Sequence, residues 1–222
     1  ALISASGIGV GSRVLDIGWG SGEFIEQLED AGAMAAGIDP APAMLDIARR
    51  RSPAADIRLG TAEALPWPDD TFDVVTAVNS LQFADDTLGA LAEAIRVTVP
   101  GGIIAVSNWA EGGLNDLNTI EAAVSDANGE ALKPDGDLRQ PGGLEVLLRD
   151  GGCNVVASGL VDVPWEAPGD DAIVAGVLLG ESAETVVELG AVVIAAARPF
   201  RTPSGGYRLT NRFRYAIGRV PT

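Results

Sequence analysis

The chain has 222 residues, 47% of them hydrophobic and 21% charged, which suits one folded domain with a full core and is too short for two comfortable ones. Its net charge of −16 argues against a nucleic-acid polymer as partner, because phosphate neutralisation supplies most of that affinity. A single cysteine, Cys153, excludes an internal disulfide and a cysteine-built zinc site, and the lack of any histidine removes histidine triads, histidine metal ligands and the histidine general base.

In chain order, 13–18 reads as a strand and 22–31 as a helix with Phe24, Ile25 and Leu28 on one face. Residues 34–39 form the second strand. Pro42 opens a helix over 42–51 that stops near Pro53. Residues 56–59 and 72–78 are the third and fourth strands, 85–99 a helix and 103–109 the fifth strand. Strand alternating with helix predicts βαβ units and a parallel sheet, whose right-handed crossovers bring the ends of strands one, two and four to one edge. The second half is less regular, with a helix over 114–128, a polar loop over 130–141, a helix over 142–150 and a strand over 154–163. Residues 170–197 predict one or two helices broken near 180–182. Tyr207, Leu209, Phe213, Tyr215 and Ile217 then recur with period two as a closing strand. The longest apolar runs, 172–180 and 191–197, fall short of the ~20 residues that span a bilayer. With no secretory signal before the first strand, the cytoplasm is the expected compartment and a membrane is not expected as a partner.

The most telling stretch is Val14-Leu15-Asp16-Ile17-Gly18-Trp19-Gly20-Ser21-Gly22. A strand that delivers an acid, then glycines at alternate positions, then a helix, builds a turn tight enough for a ligand to touch backbone. A dinucleotide fingerprint needs a glycine at the sixth loop position, where Glu23 stands here. Asp39 follows Gly18 by 21 residues, close to the spacing of roughly 20 of a ribose-binding acid. Gly60-Thr61-Ala62-Glu63-Ala64-Leu65-Pro66, Asp70 to Val75, Asn79 to Ala84 and Arg96 to Gly102 follow in order.

Over about residues 13–108 this series resembles the class I S-adenosylmethionine-dependent methyltransferases, of the small-molecule, type 11-like kind. The resemblance implies an α/β, doubly wound, Rossmann-like seven-stranded sheet, mostly parallel with an antiparallel last strand. It implies S-adenosylmethionine as cofactor and a small-molecule methyl acceptor. Asp16 and the loop of Gly18, Trp19, Gly20 and Gly22 would hold the methionine end, Asp39 the ribose, Pro40 and Met44 the adenine faces, and Thr61-Ala62-Glu63 the adenine edge. Many relatives carry an acid where Thr61 stands. Asn79 and Gln82 would face the transferable methyl, as cofactor contact or substrate-positioning amides, with amides that only tie down the loop as the equal alternative. No catalytic proton carrier is assigned. Residues 110–140 and 164–203 fall where such enzymes carry substrate-specific caps on a single domain. Trp19 replaces a usually small residue, so its indole is expected either to intrude on the pocket or to pack into the body. Only twelve residues precede the first strand, so a trimmed N-terminus is expected.

Other readings remain open. An oxidoreductase on a related fold is disfavoured by Glu23, and a binding module without turnover is a further alternative. The pairs Asp69-Asp70, Asp85-Asp86 and Asp170-Asp171 read as turn and helix-start chemistry, and no metal is expected. Six arginines and no acid lie between Leu189 and Thr222. Pairing with the acidic remainder or facing solvent explains them most simply; a basic rim for an anionic substrate is the sharper alternative.

Overall fold

The computed structural model describes residues 2–222. After a short helix α1 (Leu2–Ala5), the chain runs β1 (Arg13–Ile17), α2 (Glu23–Asp30), β2 (Met34–Asp39), α3 (Pro42–Arg51), β3 (Asp56–Leu59), β4 (Phe72–Val78), α4 (Thr87–Val97) and β5 (Thr98–Trp109). It continues through α5 (Asp116–Ala127), α6 (Gly143–Asp150), β6 (Asn154–Ala167), α7 (Asp170–Val177), α8 (Ala183–Ala197) and β7 (Tyr207–Arg219). The seven strands form one sheet in the order β3-β2-β1-β4-β5-β7-β6. Pairs β3-β2, β2-β1, β1-β4 and β4-β5 are parallel. The β5 and β7 regions are linked by Ala110 N to Arg212 O at 2.9 Å and by Val220 N to Gly102 O at 2.9 Å. The partner number falls as the first rises, so β7 runs antiparallel. The expected Rossmann-like sheet is therefore the one present.

Local sequence explains the elements. Glu23 and Glu26 place negative charge at the positive end of α2, while Arg49, Arg50 and Arg51 sit at the negative end of α3. Asp86 caps α4 by accepting the Gly89 amide at 2.9 Å. β1 and β4 are buried on both faces, as central parallel strands must be. On one face Leu15, Ile17, Val75 and Ile104 pack with Ala90, Leu91 and Val97 of α4 and Leu144 and Leu148 of α6. On the other, Val14 and Val74 meet Leu28 of α2, and Ile57 meets Ile25 and Ala48.

Two compact units are distinguishable. The first comprises residues 2–109, Asp137–Leu160 and Arg214–Thr222 and holds the core just described. The second comprises Ala110–Gly136 and Val161–Phe213, with its own core of Ile120, Ile173, Val174, Leu189, Val193, Tyr207 and Leu209. Among the described residues, no helix is long and apolar enough to cross a membrane, and no three acidic or cysteine side chains converge as metal ligands would.

Candidate functional site

The chain leaves β1 toward β2 on one side and returns through β4 on the other, so the strand order reverses between β1 and β4. A crevice opens at such a reversal, outside the carboxyl ends of the strands. Here it is a cleft of about 510 Å³ in the first unit, walled by Ile17, Gly18 and Gly20 after β1 and by Ile38, Asp39 and Pro40 at the end of β2. Residues Gly60 to Glu63 follow β3, and Asn79, Ser80, Phe83, Ala84 and Asp85 follow β4.

The glycine loop is shaped by close approach. Gly18 has φ +82°, and a Cβ there would stand 2.3 Å from the Ser80 Cβ. No other residue fits. Ser80 uses that closeness, its hydroxyl donating to Ile17 O at 2.5 Å and tying the loop after β4 to the end of β1. A Cβ on Gly20 would meet no protein atom within 4 Å, so this part of the loop presents bare backbone to the cleft. Gly22 lies off the cleft wall, where its missing Cβ would stand 3.1 Å from Ala48 Cα of α3.

Asp39 joins loop and strand. Its Oδ2 accepts the Gly20 amide at 3.0 Å and its Oδ1 the Ala41 amide at 2.8 Å, leaving each oxygen further lone pairs toward the cleft. Glu63 ties the far rim, its Oε1 accepting the amides of Asp85 at 2.9 Å and Asp86 at 3.4 Å. Its own amide, those of Asp86 and Asp85 and the Thr61 hydroxyl hold its carboxyl below the usual carboxylate range.

Besides Gly22, three residues expected on the cofactor are not among those that line the cleft. Asp16 pairs with Gly37 and Thr76 across the sheet, is 1% exposed, and accepts the Thr76 hydroxyl at 2.7 Å instead of reaching the cleft. Burial pushes its carboxyl up to about 7, against the Thr76 hydrogen bond and with help from the charge of Asp39. Trp19 is buried against Ile25, Ala48 and Ile57, and its indole donates to Arg58 O at 3.3 Å. Of the two outcomes open to it, packing into the body is the one adopted. Met44 is exposed on α3 and does not line the cleft.

Asn79 and Gln82 part company too. Asn79 lines the cleft with φ +55°, a left-handed conformation that asparagine tolerates better than most residues. Gln82 stands off the wall, its Nε2 donating to Asn79 O at 3.0 Å and Asn79 Oδ1 at 2.9 Å. Gln82 thus positions Asn79. Sequence reasoning left Ser80 and Phe83 unassigned and read Asp85 with Asp86 as turn and helix-start chemistry, whereas Ser80, Phe83 and Asp85 all line the cleft.

Most of the C-terminal arginines have partners. Arg201, Arg208 and Arg212 pair with Asp170, Glu166 and Asp162, while Arg214 and Arg219 donate to the carbonyls of Arg139 and Gly101. Acid pairing, the simpler reading of these charges, describes three of the five, and the other two are held by backbone carbonyls.

Fold and cleft together define a Rossmann-like domain of the methyltransferase kind. Residues 15–106 match the family model described as a methyltransferase domain, a match over less than half of the chain. It is 40% identical over 107 residues to a malonyl-[acyl-carrier protein] O-methyltransferase of Serratia marcescens, covering 48% of this chain and 42% of that protein. It is 36% identical over 119 residues to a demethylmenaquinone methyltransferase of Renibacterium salmoninarum, covering 54% and 50%. These alignments span about half the length of the curated relatives or less. Among solved structures, a provisionally named methyltransferase of Bacillus halodurans superposes with a TM-score of 0.68 at 16% identity, covering 100% of this chain and 97% of that one, a likeness of fold alone.

Proposed function

We propose that this domain binds S-adenosylmethionine in the cleft and transfers its methyl group to a small-molecule acceptor. The observation that carries the reading is the charge of the wall. Asp39, Glu63 and Asp85 stand on it with no lysine or arginine, beside the bare backbone of Gly18 and Gly20. A cationic, hydroxyl-bearing ligand suits such a wall, whereas a dinucleotide brings two phosphates that find no basic side chain there.

The residues present fit the cofactor. Asp39 would accept the ribose hydroxyls on the lone pairs its amide bonds leave, the Gly18–Gly20 backbone would take the methionine end, and Pro40, Thr61, Ala62 and Glu63 the adenine. When bound, S-adenosylmethionine supplies a methyl group on a positively charged sulfur that departs without a proton donor. What remains for the chain is alignment and exclusion of water, and oriented reactants reach effective molarities on the order of 10⁵ to 10⁸ M. Asn79, held by Gln82, is the neutral amide proposed to orient the acceptor. Segments 110–140 and 164–203 are proposed to serve acceptor selectivity. The two curated relatives differ in the acceptors that their names give, so the acceptor is proposed only to the level of a small organic molecule.

Calorimetric titration with S-adenosylmethionine, its demethylated product S-adenosylhomocysteine and NAD tests the reading. Binding of the first two is the expected result; tight NAD binding with no response to S-adenosylmethionine would overturn it.

A further inference from the structure

We infer that Asn108 holds the methyl acceptor, and that with Gln82 it selects an acceptor whose recognition group is uncharged and both accepts and donates a hydrogen bond, as a carboxamide or a hydroxyl does. This rests on the methyl-transfer reading and adds to it a residue and a substrate class.

The two residues stand where the sheet parts. Strands β4 and β5 keep parallel register from Val74 opposite Ile103 to Val78 opposite Ser107, and the Asn79 amide donates to Ser107 O at 2.8 Å. Beyond that bond, side chains take over the backbone groups. Asn79 turns into the left-handed region and its carbonyl accepts Gln82 Nε2, while on β5 the Trp109 amide donates to Asn108 Oδ1 at 2.9 Å. Asn108 is 2% exposed. Strand alternation puts it on the face of Ile104 and Val106, whose core includes Leu81, the neighbour of Gln82. It lies past Asn79 on the side of β5, away from the glycine loop that follows β1.

Both side-chain amides are left half used. Buried polar atoms are as a rule hydrogen-bonded. Among the described residues, three buried side-chain atoms have no partner, and two of them are Asn108 Nδ2 and Gln82 Oε1; the third, Ser52 Oγ, belongs to the end of α3. Turning the amides over does not help. Rotating Asn108 would set its NH2 against the Trp109 N–H, and rotating Gln82 would set its oxygen against Asn79 O. Asn108 therefore offers a donor and Gln82 an acceptor. Gln82 presents its oxygen only while Asn79 holds its Nε2, so those two residues act as one. An uncharged group with a lone pair and a proton answers both needs. A carboxylate would set an oxygen against Gln82 Oε1, and an ammonium group would set N–H against Asn108 Nδ2.

The test is magnetic resonance on the whole chain saturated with S-adenosylhomocysteine, using three probes of similar size, benzamide, benzoate and benzylamine, at neutral pH where the last two are charged. Benzamide should bind about tenfold more tightly than either, the worth of one buried hydrogen bond that a charged analogue leaves unmade. It should also shift the side-chain amide resonance of Asn108, identified as the one missing from Asn108→Leu. That variant keeps a similar shape without the donor, and should bring benzamide down to the level of benzoate while S-adenosylhomocysteine affinity, read by calorimetry, is unchanged. If leucine prevents folding, Asn108→Ala should show the same loss. Failure of benzamide to bind, equal binding of a charged probe, or benzamide binding that leaves the Asn108 resonance in place would overturn the inference and leave the cofactor reading intact. A parent that does not bind S-adenosylhomocysteine would overturn both.

Discussion

The Cβ that Gly37 lacks would stand 2.7 Å from Cδ1 of the Trp19 indole, so the glycine on β2 makes the room that the tryptophan of the loop occupies. Ile25 closes the same space, its Cδ1 2.6 Å from that Cβ position. A bulky residue between the first two glycines is thereby absorbed into the core and leaves the cleft open. Gly37→Ala should destabilise the fold by about 1–3 kcal/mol through overpacking. Trp19→Ala should cost about 3–5 kcal/mol, with S-adenosylhomocysteine affinity unchanged within about threefold. Urea unfolding and calorimetry on the two variants check this; tighter ligand binding by Trp19→Ala would mean that the indole intrudes after all.

A second expectation concerns pH. Asp16 titrates near its ordinary value of 3.8 when unfolded but at about 7 in the folded protein, chiefly because burial disfavours its charge. Between those values the unfolded chain has released a proton that the native chain still holds, so this group's contribution to stability declines as pH rises from about 4 to about 7 and is flat above. Asp16→Asn keeps a side chain of the same shape without the charge. It should leave stability nearly unchanged at pH 4 and raise that of the free protein at pH 8 by about 2–4 kcal/mol. Denaturant midpoints at the two pH values decide it, and parallel pH curves for parent and variant would contradict the assignment.

Asp39 is the residue proposed to hold the ribose of the ligand. Asp39→Ala removes the acceptor of the Gly20 and Ala41 amides and the oxygens proposed for the ribose. Affinity for S-adenosylhomocysteine should fall by about 1.5–3 kcal/mol, the worth of hydrogen bonds to a charged group. Asp39→Asn, which retains one acceptor oxygen, should lose less. Equal affinity in all three proteins would show that the ribose does not lie there.

How much of this was legible beforehand depended on whether the cause was local. Strands β2, β3 and β4 stand at their predicted bounds because their signals, apolar runs between turn residues, are local. β5 begins at Thr98 instead of residue 103, since Pro100-Gly101-Gly102 reads as a turn; Gly101 and Gly102 are held to Val220 by hydrogen bonds no local pattern reveals. β6 runs on to Ala167 past Pro164, which a strand tolerates here because β6 is at the sheet edge. In the site, motif spacing located the loop and Asp39, yet it carries no information on which way a side chain points. Trp19, Met44 and Asp16 were placed by neighbourhood, and their orientations were decided by Gly37, by the open face of α3 and by Thr76.

The last prediction is that turnover depends on positioning and on no single strong proton carrier. Asn79 on the cleft wall is a neutral amide, Gln82 acts on it through two hydrogen bonds, and the chain has no histidine. General acid–base catalysis contributes about 10² to 10⁴-fold, so replacing any one of Asp39, Glu63 or Asp85 under saturating cofactor should cost less than the top of that range. Asn79→Ala should lower kcat with little change in S-adenosylhomocysteine affinity. Gln82→Ala should do the same to a smaller degree, and its effect should largely vanish in an Asn79→Ala background, because its donors would then bind nothing in the side chain they hold. Single-turnover rates with the methyl acceptor, once found, and a double-mutant cycle on these two residues supply the measurement. Additive losses for Asn79 and Gln82 would separate their roles, and one carboxylate whose removal abolishes turnover with both ligands still bound would establish a dedicated base.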